Sequence, residues 1–267
     1  MKIIYDLGAN NGAEIPYYLL RADKVVAVEA NPMLCNKIKQ EFSKEINEES
    51  LAVIASVLTT AKERSEAVKF YLHKKNHVLS QFPKPENIQD FDEVSLPATS
   101  LKELFDKHGE PYYLKIDIEH YDHEILRELF ALDIVPTYIS AESHDPVVIA
   151  EIITAEKYTG FKLVDGSSVA RKYMNMVIDD VSFSFPKHSA GPFGEDIEGP
   201  WLSAADFLML LGIEGMGWKD VHATTIVNPR GFTESEKLLF LYRKILARTY
   251  SAMFRHIKYI SRRILQR

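Results

Sequence analysis

The chain has 267 residues, 46% hydrophobic and 26% charged, the balance of a globular protein built as one large domain or a domain with an appendage. A formal charge of −6 and a single cysteine, Cys35, argue against a general nucleic-acid binder, a disulfide framework and a thiolate zinc site, and they fit a reducing, cytoplasmic setting. The charge is uneven: nine Lys and Arg and no acid follow Glu236, so the first 236 residues carry −15, the total of −6 less those nine.

The opening MKIIYD lacks the apolar centre of a signal peptide, and the longest apolar run, over 207–213, is too short to cross a bilayer. Residues 3–7 read as a short buried strand, followed by the glycine turn DLGANNG and a helix over 14–20. A second buried strand, KVVAVE, covers 24–29, and Pro32 then opens a helix over 33–42. Residues 51–57 are a third strand and 68–72 a further extended piece. The polar, Pro-containing stretch 73–96 reads as a long surface loop. Thr99 or Ser100 caps the short helix that Gly109 closes. A strand over 113–118, a helix over 122–132, a strand over 138–141 and a helix over 147–157 follow. Residues 161–164 and 174–178 are expected to pair and close the sheet. Beyond 179 the pattern dissolves into Gly, Pro and aromatic residues.

Continuous apolar strands alternating with helices predict a mostly parallel, doubly wound α/β sheet with ligands at the carboxyl ends of its strands. The expected division is a ligand-binding domain over 1–180, an irregular cap over 181–233 and a basic amphipathic helix over 234–267.

Three stretches carry chemistry. In the first turn, Gly8 and Gly12 permit close backbone approach and tight helix packing. Asn10 stands where the dinucleotide fingerprint has its middle glycine, which weakens a NAD reading. Glu29 ends the second strand, where a carboxylate accepts hydrogen bonds from a ribose diol. Ala55 and Ser56, at the end of the third strand, leave room for a flat base. In YLKIDIEHYDHEIL, period-two alternation puts Lys115 and Asp117 on one face of a buried strand, with Glu119 just beyond it. Charges inside such a strand are costly unless paired or used.

In this order, DLGANNG, VVAVEANP and LKIDIEHYDHEIL resemble the FkbM-type family of S-adenosylmethionine-dependent methyltransferases over about residues 3–180. The resemblance implies a class I, Rossmann-like methyltransferase fold and, as in several members, O-methylation of a sugar, glycan or other hydroxylated product. It implies that Asp6, Gly8, Ala9, Asn10 and Gly12 cradle the methionine part of the cofactor and that Glu29 holds its ribose. Ala30 and Asn31 would flank the adenosine, Ser56 and Val57 would lie near the base, and Lys115 to Glu119 would line the junction with the acceptor. His120 replaces the family's usual glycine, adding bulk and a second candidate base.

Methyl transfer from a sulfonium is an in-line displacement that needs an aligned acceptor and, for a hydroxyl, a proton acceptor. His144 and His120 are the preferred bases, with Asp117 and Glu119 beside them. Asp117, Glu142 and Asp145 offer hard oxygen ligands for a magnesium ion that would polarise a sugar diol. His73, His77 and Ser80 lie in a loop that either closes over the cofactor or is plain surface. Trp201 and Trp218 are sugar platforms or, the heavier weight, packing anchors. The basic tail packs on the acidic body, lies on an anionic membrane surface at the cytoplasmic side, or pairs with a second copy; nucleic acid is disfavoured by the charge of the body. Two rival functions stay open: a NAD-dependent sugar-modifying enzyme and a catalytically silent interaction subunit.

Overall fold

The computed structural model describes residues 1–63, 65–239, 241–242 and 245. In chain order its elements are β1 (Ile3–Leu7), α1 (Ile15–Leu19), β2 (Lys24–Glu29), α2 (Pro32–Glu41), α3 (Ser43–Asn47), β3 (Leu51–Ala55), β4 (Val57–Leu58), β5 (Ala67–His73), β6 (Phe91–Thr99), α4 (Leu101–His108) and β7 (Tyr113–Ile116). There follow α5 (Asp122–Ala131), β8 (Tyr138–Glu142), α6 (Pro146–Thr154), β9 (Gly160–Asp165), α7 (Gly166–Lys172), β10 (Met176–Ile178), β11 (Val181–Phe183), α8 (Ala204–Glu214) and β12 (Lys219–Thr224).

The central sheet has the order β3-β2-β1-β7-β8-β12-β9. The first five strands run parallel, whereas β12 is antiparallel to both β8 and β9. Both faces are covered, and this is why β1 is apolar throughout except at Asp6. Ile3, Tyr5 and Leu7 enter the core shared with α4, α5 and α6, while Ile4 enters the other with Ile15, Tyr18 and Ile38. The chain leaves β1 for β2 on one side and returns to β7 on the other, so a crevice opens at the carboxyl ends of β1 and β7. Local chemistry agrees with this framework. Ser100 and Glu103 form a reciprocal capping box at the start of α4, and Asn31 caps α2 by accepting from the Met33 N–H at 3.0 Å.

Three expectations need correction. Residues 161–164 do not pair with 174–178: β9 pairs with β12, and β10 folds back on β11 as a separate hairpin. The strand β12 was hidden because KDVHAT buries Val221 and Ala223 in one core but turns Asp220 and His222 to the opposite face, giving a sequence as polar as a loop. The stretch 73–96 is not all loop, since β6 pairs antiparallel with β5 and parallel with β4 in a small three-stranded sheet. Its partly exposed pattern, with Asp92 and Glu93 side by side near its start, disguised it.

Residues 181–233 are likewise more than the irregular cap expected there. They supply β12 to the central sheet, Phe193 and Trp201 to one core and Phe207 and Leu211 to the other. Phe193 stacks on Tyr113 with centroids 4.0 Å apart. Residues 234–239 are helical, and most of the basic helix expected over 234–267 lies outside the described residues. Among the described residues no helix is long and apolar enough to cross a membrane.

Candidate functional site

The glycine turn sits at the crevice. Gly8 has φ +90°, and its N–H and that of Ala9 both donate to the Val28 carbonyl, at 2.9 and 3.0 Å. A Cβ on Gly8 would stand 1.9 Å from the Asp117 carbonyl oxygen. The residue is therefore demanded by the close approach of the backbone after β7, and not by a ligand alone. Gly12 has the packing role expected of it: a Cβ there would meet Ile15 and Ile38 at 3.0 and 3.1 Å.

Glu29 closes the turn from β2. Its carboxylate accepts from the Asn10 N–H and the Asn31 N–H, each at 2.7 Å. Burial outweighs these two donors and lifts its pKa to about 7. Each oxygen keeps a further lone pair, so the group still has capacity for a pair of hydroxyls. Beside it the side-chain oxygen of Asn10 is buried without a partner, as an acceptor awaiting a donor would be.

The charge inside β7, Lys115, is paired. Lys115 Nζ donates to Asp117 Oδ2 at 2.8 Å and to Asp6 Oδ1 at 3.2 Å. Burial works against the ammonium, but Asp117, Asp6 and Glu14 outweigh it, and Lys115 stays charged. Burial raises Asp6 to about 6 against the pull of Lys115, and its second oxygen has no partner.

A cavity of about 680 Å³ opens from this crevice. Of the residues expected at the cofactor, Gly8, Asn10, Glu29, Ala30, Ser56, Val57, Lys115 and Asp117 line it. Asp6, Ala9, Gly12 and Asn31 do not; they hold the turn and the start of α2 from behind. His77 and Ser80 line it as well, whereas His73 spends its Nδ1 accepting from the Lys75 and Asn76 N–H groups. Trp201 is a packing anchor: it is buried against Tyr138 and donates to Glu195 at 3.0 Å. Trp218, by contrast, reaches the cavity and stacks on His188 with centroids 5.5 Å apart.

The preferred bases do not reach the cavity. His144 Nδ1 lies 2.9 Å from Glu142 Oε2, and that hydrogen bond, against partial burial, raises its pKa to about 9. It is an imidazolium at neutral pH and has no lone pair to take a proton. His120 adopts φ +65° and leaves its side chain 59% exposed, outside the lining. Glu119 is the group that faces inward. Burial, then repulsion from Glu142 and Asp117, brings its pKa to about 7.

The magnesium set is also corrected. Asp145 caps α6 by accepting from the Val147 N–H at 2.8 Å and lies beside His123, away from the cavity. Asp117 is matched by Lys115 and Glu142 by His144. Among the described residues no group of three or more His, Cys, Asp or Glu is placed to hold a metal ion.

Sequence reasoning missed Glu14, Lys187 and Asp220, which line the cavity, and did not give His188 a role. Asp220 was legible only through the alternation of β12; Lys187 and His188 sit in an irregular segment and left no signal.

A doubly wound sheet with a reversed strand, whose β1–β7 switch point opens into a cavity floored by a glycine turn and a strand-end carboxylate, defines a class I, Rossmann-like methyltransferase fold. The family model described as the Methyltransferase FkbM domain matches residues 6–163, and the chain belongs to that family of S-adenosylmethionine-dependent methyltransferases. No curated protein matches the chain. Among solved structures it is similar to methyltransferase FkbM from Methylobacillus flagellatus KT, at 11% identity and a TM-score of 0.41 over 61% of this chain and 39% of that one. It is similar also to the C-terminal domain of precorrin-6Y C5,15-methyltransferase from Rhodobacter capsulatus, at 8% identity and a TM-score of 0.39 over 86% and 80% of the two chains. Spermidine synthase from Thermotoga maritima matches at 9% identity and a TM-score of 0.37 over 84% and 53%. The chain spans about two fifths of the length of the Methylobacillus protein.

Proposed function

We propose that the chain transfers the methyl group of S-adenosylmethionine to a hydroxyl oxygen of a sugar, glycan or glycosylated product. The observation that carries the reading is a single cavity with both halves of the chemistry on its wall: Asn10 and Glu29 at the ends of β1 and β2, and the Glu119 carboxyl, poised at about 7, beyond β7. The first pair suits a ribose diol. Ser56, Val57, Phe82 and Tyr121 suit a flat base, with Phe82 and Tyr121 set edge to face at 5.0 Å. Bound there, the cofactor supplies an electrophilic methyl on a sulfonium. Glu119 takes the proton that the acceptor hydroxyl loses, and the wall holds the oxygen in line. Trp218 on His188 offers a flat apolar face at the rim, and the carboxyls around it accept from hydroxyls, a combination that suits a pyranose ring.

Incubation with methyl-labelled cofactor and a panel of neutral glycosides tests this. Alkali-stable methyl ethers, formed equally with and without a chelator, are expected. Label found in esters or amines, or transfer that stops on chelation, contradicts the reading.

A further inference from the structure

Six carboxyls line the cavity: Glu14, Glu29, Asp117, Glu119, Glu142 and Asp220. Four are matched. Glu29 accepts from two backbone N–H groups, Asp117 pairs with Lys115, Glu142 pairs with His144, and Glu14 accepts from the Ala190 N–H at 2.9 Å. Glu119 has, among the described residues, no closer ion-pair partner than the exposed His120 at 4.0 Å, with the charge of His144 acting from further off. Asp220 is 7% exposed, no hydrogen bond or ion pair with another described residue reaches its carboxyl, and the charge of Lys115 is what favours its ionised form.

The topology puts these two acids on either side of one strand. Asp220 on β12 is the register partner of Glu142 at the end of β8, and Glu119 follows β7 on the other flank of β8. A buried acid among other acids, without a donor, is stabilised most by a cation. Burial, with Asp117 and Glu142 close by and Lys115 pulling the other way, holds Asp220 well above the usual carboxyl range, so an arriving cation is what draws it into the charged form. Neither lysine on the wall reaches Asp220 or Glu119 at ion-pair distance, and Lys115 acts on Asp220 through its charge alone. Lys115 is held by Asp6 and Asp117, and Lys187 has no ion pair with either acid among the described residues.

We propose that Asp220 and Glu119 make the cavity select the cationic methyl donor over its demethylated thioether product, so that transfer itself loosens the spent cofactor. The inference rests on the cofactor reading above. The methyl must project from the end held by Glu29 towards the acceptor end, where these acids stand. On transfer the carbon–sulfur bond breaks with its electron pair left on sulfur, and a carbon–oxygen bond forms. The acceptor proton passes to Glu119, and the sulfonium charge disappears. Both the cation and one of its opposing carboxylates are then neutral. Asp220 lies beyond the residues 6–163 that match the family, so this is a property of the chain's own later segment.

Calorimetry on the full chain tests the proposal with S-adenosylmethionine and S-adenosylhomocysteine as probes. One unit charge facing buried carboxyls predicts a preference for the sulfonium of about tenfold or more. Asp220→Asn should bring the two ligands to near parity, by weakening the sulfonium and leaving the thioether unchanged. Glu119→Gln should act in the same direction, and it keeps the test alive if Asp220→Asn does not fold. A wild type that binds the thioether as tightly as the sulfonium overturns the proposal, as does an unchanged ratio in both variants. Folded wild type that binds neither ligand removes the methyltransferase reading and this inference with it, an outcome distinct from both of those.

Discussion

Glu119→Gln is expected to lower kcat by about 10²- to 10⁴-fold, the usual contribution of a positioned proton acceptor. The wild-type rate should rise with pH through about 7, because the base works only when ionised and burial has brought its pKa there. Glutamine keeps the size and loses the titration, so the variant's residual rate should be flat across that window. His120→Ala should keep the wild-type rate, since that ring points away from the cavity. A pH-rate series on the three proteins checks this. A collapse in the His120 variant with a healthy Glu119 variant would return the role to the histidine.

Gly8→Ala is the second large effect, and it acts on the fold. The added methyl would meet a backbone oxygen at 1.9 Å, in a φ +90° conformation that a side chain already disfavours. Backbone cannot swing aside as a side chain does, so β1 and β7 would have to part at the switch point. A loss of at least about 3 kcal/mol is expected, from a domain total of about 5–15 kcal/mol. Gly12→Ala meets only the tips of Ile15 and Ile38 at 3.0 and 3.1 Å and should cost clearly less. Urea unfolding of both variants tests the order. Equal midpoints for Gly8→Ala and wild type would mean that the crevice is looser than described.

The parallel half of the sheet was legible because both its faces are buried and each strand declares itself as an apolar run. The glycine turn, Glu29, and the Lys115–Asp117 pair were legible for the opposite reason: each interrupts the apolar pattern, with a charge in or at the end of a buried strand or with spaced glycines directly after one. What sequence could not resolve was long-range pairing. β12 crosses between β8 and β9 from far along the chain, and its inward face carries Asp220 and His222 where an apolar strand was sought. The part of the cavity wall that carries Asp220 therefore escaped, along with Lys187. The histidines were preferred as bases because histidine is the natural choice at neutral pH, and the sequence does not show that neither of them lines the cavity. Only the contact with Glu142 shows His144 to be a cation, and only burial lifts a glutamate into its place.

The central claim is that the crevice between β1 and β7 is an S-adenosylmethionine site held by Glu29. Calorimetric titration of wild type and Glu29→Gln with S-adenosylmethionine, and with NAD as control, tests it most directly. The account predicts binding at about micromolar Kd, weakened by about 10- to 100-fold in the variant as a charged hydrogen-bond acceptor is lost, and no heat from NAD. Binding of NAD in place of S-adenosylmethionine by folded protein, or of neither, would contradict it.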